Sequence, residues 1–218
     1  MSDGTADGWA LRTGFVAPEL RAEFPGLRLH WVELAAGRGA TPPALRRRLR
    51  SLSDRYRGAS VVAMRVKPVP HAFRAFYRQI GLDPDVQRIP SEEAAVGRLI
   101  HGEFRSLGRI SDACLVALVE TGVPVWALDA GAVDEAGLGI RAATARDAGA
   151  ASDLAPGAGS LVVADGTRAH AVLFADPPPG RCPGPRTRRA VLFAVAVDGV
   201  PGIHVEEALW LAADLVAD

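Results

Sequence analysis

The order of the predicted elements places the chain in the α+β class. Patterns typical of helices cluster in the first half of its 218 residues, and patterns typical of antiparallel or mixed strands cluster in the second. Hydrophobic residues make up 49% of the chain, which is enough for a sizeable core. Because no internal linker separates two cores, we expect a single domain over residues 1–218.

The first third of the chain predicts a strand, a helix and a second strand. Residues 27–34 alternate apolar and polar side chains, as a half-buried strand does. Thr41 before Pro42 and Pro43 predicts a helix that begins with a capping threonine. The apolar stripe of that helix is formed by Leu45, Leu49, Leu52 and Tyr56. Residues 60–66 are rich in β-branched side chains, which favours a strand.

Three further helices are predicted, and each has a recognisable end. They span residues 71–80, 91–101 and 111–121. Gly81 and Gly122 directly follow two of them, as helix-terminating glycines do. Ser91 is the predicted cap of the middle helix, with Glu92 and Glu93 in the first turn, where the helix dipole favours acids.

The second half of the chain predicts mainly strands. Pro124 prevents the preceding helix from continuing. The expected strands span residues 123–129, 138–143, 161–164, 169–174 and 190–197. Asp165 and Gly166 form the expected turn of a hairpin. A loop rich in proline and glycine over residues 176–185 and an amphipathic helix over residues 205–216 complete the prediction.

Charge and composition exclude several classes of protein. Lys plus Arg and Asp plus Glu both number 25, so the chain is not a globally basic binder of nucleic acid, and we expect no DNA partner. The two cysteines and five histidines show no metal-ligand spacing, so no metal or cofactor is expected. The chain begins without a leader pattern and has no apolar run of about 20 residues, so we expect a cytoplasmic protein that does not enter membranes.

The densest group of polar side chains in an apolar setting spans residues 109–129. Glu120 falls in the last turn of a predicted helix, where the helix dipole disfavours negative charge. Such a carboxylate needs a compensating partner, which is either an arginine or a hydroxyl or amine of a ligand. The alternative interpretation is a surface glutamate in solvent.

Residues of this segment resemble a family signature. The pattern is Asp112-x7-Glu120-x-Gly122-x-Pro124-x2-Ala127-x-Asp129. It resembles the signature of the B3/B4 domain of the phenylalanyl-tRNA synthetase β subunit. Residues 137–144 and 161–166 are similar to strands that follow in that domain, and residues 73–81 and 91–99 resemble stand-alone proteins of the family. The resemblance implies a family-like core over residues 59–200, an N-terminal extension over 1–25 and a C-terminal helix over 203–218.

The resemblance implies a tRNA-editing function. In the synthetase this domain hydrolyses tyrosine wrongly attached to the phenylalanine tRNA, and Glu120 corresponds to the glutamate that recognises the tyrosyl hydroxyl. A stand-alone deacylase acting in trans on the aminoacyl end of tRNA, rather than a full ligase, is therefore expected. Its catalytic residue would be Glu120. Its substrate-binding residues would be Arg74, Asp112, Thr121, Gly122, Trp126 and Asp129.

Two departures from the family pattern leave other functions open. Leu115 stands where the family has asparagine, and Trp126 stands where it has histidine. The alternatives are a non-catalytic module that binds tRNA or an aromatic amino acid, and a scaffold with a degenerate pocket. Tryptophan at this position either stacks on a ligand or fills the core.

Arginines and a cysteine also have two interpretations each. Arg74 either lines a pocket or pairs with Glu92 or Glu93. An arginine-rich helix either follows an RNA backbone or is simply solvated; its arginines are Arg46, Arg47, Arg50, Arg55 and Arg57. Because the net charge is zero, any affinity for tRNA should be weak and sensitive to salt. Cys114, on an apolar helix, is expected to be a buried thiol rather than a nucleophile.

Overall fold

The computed structural model describes residues 9–37, 40–56, 58–148, 154, 156–157 and 159–218. Its helices are α1 Pro18–Glu23, α2 Pro43–Arg55, α3 Gly58–Met64, α4 Pro68–Gln79, α5 Pro90–His101, α6 Arg109–Thr121 and α7 Gly202–Ala217. Its strands are β1 Arg12–Thr13, β2 Phe15–Val16, β3 Arg28–Ala35, β4 Val125–Asp129, β5 Gly139–Ala142, β6 Leu161–Ala164, β7 Ala169–Val172 and β8 Arg189–Ala196. The mixed content confirms the α+β class.

Two four-stranded sheets organise these elements. Sheet A has the order β1-β3-β8-β4 and is antiparallel throughout. Sheet B has the order β2-β5-β6-β7, in which β2 and β5 are parallel and the other pairs are antiparallel. The predicted hairpin at Asp165 and Gly166 is confirmed, because it joins the antiparallel strands β6 and β7.

Helices α6 and α7 pack on each other and against sheet A. The strand β8 is almost entirely buried because it lies between β3 and β4 and is covered by α7. On sheet A, Trp31, Phe193 and Trp126 lie side by side on three neighbouring strands. One large apolar cluster contains residues of both sheets and of α2, α4, α6 and α7. This core fixes the position of the edge of β3, on which the candidate site depends.

The predicted distribution of elements needs two corrections. Residues 60–66 are not a strand, because α3 spans Gly58–Met64. Packing of α3 against α5 overrides the local strand preference of this segment. The strand predicted over residues 27–34 is confirmed by β3, but the short strands β1 and β2, which precede it, were not predicted.

The predicted caps of two helices are also wrong. Helix α2 follows Pro42 and has no side-chain cap, because the Thr41 hydroxyl donates a hydrogen bond to Asp112 instead. Helix α5 begins at Pro90, so Ser91 lies inside the first turn rather than before it. The predicted helix ends are correct, since Gly81 and Gly122 both have the positive φ that glycine tolerates.

Within the described residues, no helix is both long enough and apolar enough to cross a membrane. Arg57 and residues 1–8 of the expected N-terminal extension lie outside the described residues.

Candidate functional site

Glu120, in the last turn of helix α6, forms a two-point ion pair with an arginine of α2. Arg48 Nε donates to Oε1 of Glu120 at 2.9 Å, and Nη2 donates to Oε2 at 2.6 Å. The hydrogen bond to Glu120 raises the pKa of the Arg48 guanidinium. The two side chains are 38% and 27% exposed, so the pair lies at the surface. The compensating partner of the helix-end carboxylate is therefore an arginine of the same chain.

Arg74 is buried between helices α4 and α5. Its Nη1 donates to Oε1 of Glu92 at 2.9 Å, and its Nη2 donates to Oδ1 of Asp85 at 2.7 Å. The predicted pairing of Arg74 with Glu92 is confirmed. The guanidinium has two carboxylate partners, and these contacts tie α4 to α5.

Asp112 is a buried carboxylate near the start of α6. It accepts hydrogen bonds from the hydroxyls of Thr41 and Ser106, each at 2.5 Å, and from the Leu107 N–H at 2.8 Å. These three donors stabilise its charge in the interior. The network joins the beginning of α2 to the loop before α6.

Thr121 and Gly122 complete the end of α6. The Thr121 hydroxyl donates to the Ala117 carbonyl at 2.7 Å and accepts from the Val123 N–H at 3.1 Å. Gly122 has a φ of 79° and its N–H donates to the Leu118 carbonyl. Both residues thus terminate the helix.

Trp126 and Asp129 lie on β4. Trp126 is buried and stacks on Phe193 with ring centroids 5.6 Å apart, so it fills the core. Asp129 accepts hydrogen bonds from the Gly131 N–H at 2.9 Å and from the Thr187 hydroxyl at 2.5 Å. The six predicted substrate-binding residues and Glu120 are thus bonded or packed within the fold.

The predicted site residues do not converge on a common cavity. Two cavities at the edge of sheet A are lined by other side chains, and neither contains Glu120, Arg74 or Asp112. Glu120 is at the surface, whereas Arg74 and Asp112 belong to separate buried networks. Their binding and catalytic roles stay predictions.

A groove of about 520 Å³ opens at the edge of sheet A. Strand β3 forms one wall, and the segment before β1 and the last turn of α7 form the others. We call it the edge groove and define it by its main lining residues, Trp9, Arg12, Glu33, Leu34, Arg189 and Val216. A cavity of about 270 Å³ adjoins it and shares its three charged residues. The larger volume is typical of small-molecule sites.

Unpartnered polar atoms are concentrated at the edge groove. Among the described residues, five buried side-chain nitrogens or oxygens have no hydrogen-bond partner, and three of them are Trp9 Nε1, Glu33 Oε1 and Arg109 Nε. Trp9 and Glu33 line the groove, and Arg109 lies behind it, donating from Nη1 to the Val216 carbonyl at 3.2 Å. Buried polar groups of folded proteins are normally bonded, so this concentration distinguishes the edge groove from the rest of the described residues.

Gly37 allows the chain to pass closely over Arg109. A Cβ at this position would lie 2.6 Å from Nη1 of Arg109 and 2.7 Å from the Val216 carbonyl oxygen. Neither distance is tolerated by a real Cβ. The glycine therefore permits the arginine to lie directly behind the groove.

The edge groove carries an excess of positive charge. The guanidinium of Arg12 lies over the Trp31 ring at 4.7 Å from its centroid and has no ion-pair partner among the described residues. Arg189 Nη1 lies 2.9 Å from Oε1 of Glu33, close enough for charge pairing but not aligned as a hydrogen bond. Arg12 and Arg189 thus outnumber Glu33 within the groove, whereas Asp134 and Glu135 line the adjoining cavity that shares these arginines. Such a surface attracts an anion.

Sequence reasoning missed the residues of the edge groove. Trp9, Arg12, Glu33 and Arg189 are spread over most of the chain, and only the fold brings them together. The one local signal is Glu33, an acidic residue within the alternating pattern of a predicted strand. No spacing rule connects it with an arginine more than 150 residues later in the sequence.

A buried histidine–aspartate pair lies in the hairpin of sheet B. The ring Nε2 of His170 is 2.7 Å from Oδ2 of Asp165, and both side chains are fully buried. Burial lowers the pKa of His170. Burial alone would raise the pKa of Asp165, but hydrogen bonds from Arg168, His170 and Thr167 outweigh it and hold that pKa well below its usual range. The pair stabilises the hairpin and meets no solvent.

Cys114 is buried on α6, as expected. Burial raises the pKa of its thiol to about 12, so the sulfur remains protonated at neutral pH. A thiol without charge and without access to solvent is a poor nucleophile. Its part in the fold is to pack in the apolar core.

The described residues contain no group of three or more His, Cys, Asp or Glu side chains placed to hold a metal ion. A scan against protein-family models and a search of curated proteins each find no match for the chain. The resemblance to the B3/B4 domain therefore depends on the motif residues alone.

Proposed function

We propose that the chain is a non-catalytic binding module whose ligand carries a carboxylate next to an aromatic or apolar group. An aromatic amino acid is the simplest ligand of this kind. The observation that carries the proposal is the concentration of unpartnered buried polar atoms beside the arginines of the edge groove. Elsewhere in the described residues, only Ser91 and His170 have such atoms.

Each part of such a ligand has a complementary group in the edge groove. The carboxylate binds Arg12, whose guanidinium lies over the Trp31 ring. An amine binds Glu33, whose Oε1 lacks a directed hydrogen bond. Charge-assisted bonds of this kind are about twice as strong as neutral ones. The ring or apolar group lies against Leu34 and Val216.

The edge groove supports binding rather than hydrolysis. Ester hydrolysis requires a positioned water and donors for the developing oxyanion. The carboxylate proposed for catalysis, Glu120, has both oxygens bonded to Arg48, away from the edge groove. A B3/B4-like module that has kept ligand binding without turnover is consistent with these contacts and with Leu115 and Trp126 at family positions.

Calorimetric titration with phenylalanine and tyrosine tests the proposal. We expect saturable heat for the native chain and a loss of affinity of about tenfold, equivalent to about 1.4 kcal/mol, for Arg12→Ala. Glu120→Ala is the matched control, because it removes a surface charge outside the edge groove, and its affinity should equal that of the native chain. Absence of heat with both amino acids would contradict the proposal.

A second candidate is weak binding of tRNA along helix α2, with deacylation at Glu120. The observation in its favour is that Arg46, Arg47 and Arg50 are exposed on the helix that holds Glu120 through Arg48. Incubation with misacylated tRNAs tests it directly. Deacylation above the buffer rate that Glu120→Ala abolishes would establish this function in place of simple binding. No deacylation with any misacylated tRNA would eliminate it.

A further inference from the structure

The main chain of β3 directs hydrogen-bonding groups into the edge groove. The Gly14 N–H donates to the Leu29 carbonyl at 2.8 Å, which shows that Leu29 faces the β1 side. The Ala36 N–H donates to the Arg188 carbonyl at 2.9 Å, on the opposite side of β3. Alternation along an antiparallel strand then places the N–H and C=O groups of Glu33 and Ala35 on the β1 side.

Strand β1 does not cover these groups. Its pairing with β3 is limited to Arg12 opposite Trp31 and Thr13 opposite His30. Before Arg12 the chain turns toward α7, where the rings of Trp9 and Trp210 are 4.5 Å apart. In the described part of the chain, no strand therefore lies beside Glu33 and Ala35 on this side.

We propose that the physiological ligand of the edge groove is an extended acidic segment of another protein, which adds to sheet A as a strand beside Glu33 and Ala35. This inference rests on the proposed function and specifies its ligand. The peptide main chain exchanges hydrogen bonds with the two residues, as in other cases of strand addition. An Asp or Glu side chain of the segment binds Arg12 or Arg189, and an aromatic side chain packs on Leu34.

The arginines of the edge groove favour an acidic segment over a second copy of the chain. Two copies paired edge to edge would bring Arg12 and Arg189 of one chain close to the same arginines of the other. Like charges placed opposite each other destabilise a strand pair. An acidic segment instead pairs with Arg12, which has no ion-pair partner among the described residues, and with Arg189, which is 70% exposed beside Glu33.

The test is a titration of the full chain with labelled peptides of about five residues that contain one aromatic and two acidic side chains. We expect these peptides to bind more tightly than phenylalanine. Methylation of a peptide nitrogen that faces β3 should weaken binding about tenfold, and methylation of the next nitrogen should not, because only alternate N–H groups face the strand. A peptide with lysines in place of the acids should bind at least tenfold more weakly.

Amide hydrogen exchange gives a second measurement that does not depend on a variant. Exchange at Glu33 and Ala35 should slow on peptide binding, while exchange at Glu120 should not change. If phenylalanine binds and the methylated and unmethylated peptides have equal affinity, strand addition is wrong and the proposed function stands. If neither phenylalanine nor peptide binds, both proposals fail.

Two further outcomes would overturn strand addition by an external segment. Peptide binding that requires deletion of residues 1–8 would mean that the chain itself occupies the edge. Sedimentation as a dimer that peptide does not dissociate would mean that a second copy occupies it. A monomer that binds peptide with residues 1–8 present is the result that we expect.

Discussion

The segment from Asp112 to Asp129 and the edge groove use polar residues in opposite ways. In the segment, Asp112 has three donors, Glu120 has a two-point arginine partner and Asp129 has two donors. At the edge groove, Trp9 and Glu33 have buried polar atoms without hydrogen-bond partners, although Oε1 of Glu33 is in an ion pair with Arg189. A polar group that is already hydrogen-bonded within the fold gains little binding free energy from a ligand. A buried polar group without a hydrogen bond gains more. The comparison therefore favours the groove as the binding site, although the segment has the more conspicuous sequence.

The largest expected effect is the loss of stability when Asp112 is removed. Asp112→Ala removes the acceptor of three hydrogen bonds, including that of the buried Thr41 hydroxyl, which should lower the free energy of unfolding by about 3 kcal/mol. Urea denaturation measures this loss, and Ser111→Ala, at an exposed neighbouring residue, is the control. A loss below about 1 kcal/mol would show that the network contributes little. The folded variant should still bind phenylalanine as the native chain does.

Acid should destabilise the hairpin of sheet B more than it destabilises the segment from Asp112 to Asp129 or the edge groove. Because the pKa of folded His170 is lowered, the unfolded chain binds a proton that the folded chain does not, and stability falls as pH drops below about 6.5. The lowered pKa of Asp165 adds a further loss below pH 3.8.

Urea denaturation at about pH 7 and about pH 5 measures the effect of His170. His170→Gln should have a smaller difference in stability between the two pH values than the native chain. An equal difference in both proteins would assign the acid sensitivity to another group.

A single hydrogen-bond donor of the edge groove can be removed while an aromatic ring is kept at the same position. Trp9→Phe keeps a ring against Trp210 but deletes the unpartnered indole N–H. We expect phenylalanine to bind about fivefold more weakly, equivalent to about 1 kcal/mol. The smaller ring should also lower the free energy of unfolding, because less apolar surface is buried. Trp210→Phe is the matched control, and equal losses in both variants would contradict a specific role for the Trp9 N–H.

The smallest expected effect concerns the surface ion pair of Glu120. Arg48→Ala should lower the free energy of unfolding by about 0.5 kcal/mol or less, because both side chains are partly exposed. The change should be smaller still at high salt. A loss above about 2 kcal/mol would mean that this pair is a structural centre rather than a surface contact.

Much of the fold could be predicted from local patterns, because strong periodicity and end signals act within a few residues. Helix α6, its terminating Gly122 and the hairpin at Asp165 are examples. Helix α3 could not be predicted, since its β-branched residues favour strands and only packing against α5 decides otherwise. Strands β1 and β2 have two residues each, too few for any alternation to be visible.

The candidate site was less accessible to prediction than the fold. The motif residues were found because they are close in sequence, but their partners, such as Arg48 for Glu120, lie about 70 residues away. Arg12, Glu33 and Arg189 come from three strands and meet only when sheet A forms. Whether a polar group is already bonded depends on the tertiary structure, and a single sequence does not contain that information directly.

Backbone amide chemical shifts recorded during a titration with phenylalanine compare the two regions in one experiment. We predict changes at Arg12, Glu33 and Ala35, with Glu120, Thr121 and Gly122 unaffected at saturation. Changes confined to Glu120 and its neighbours, with none at the edge of β3, would contradict binding in the edge groove.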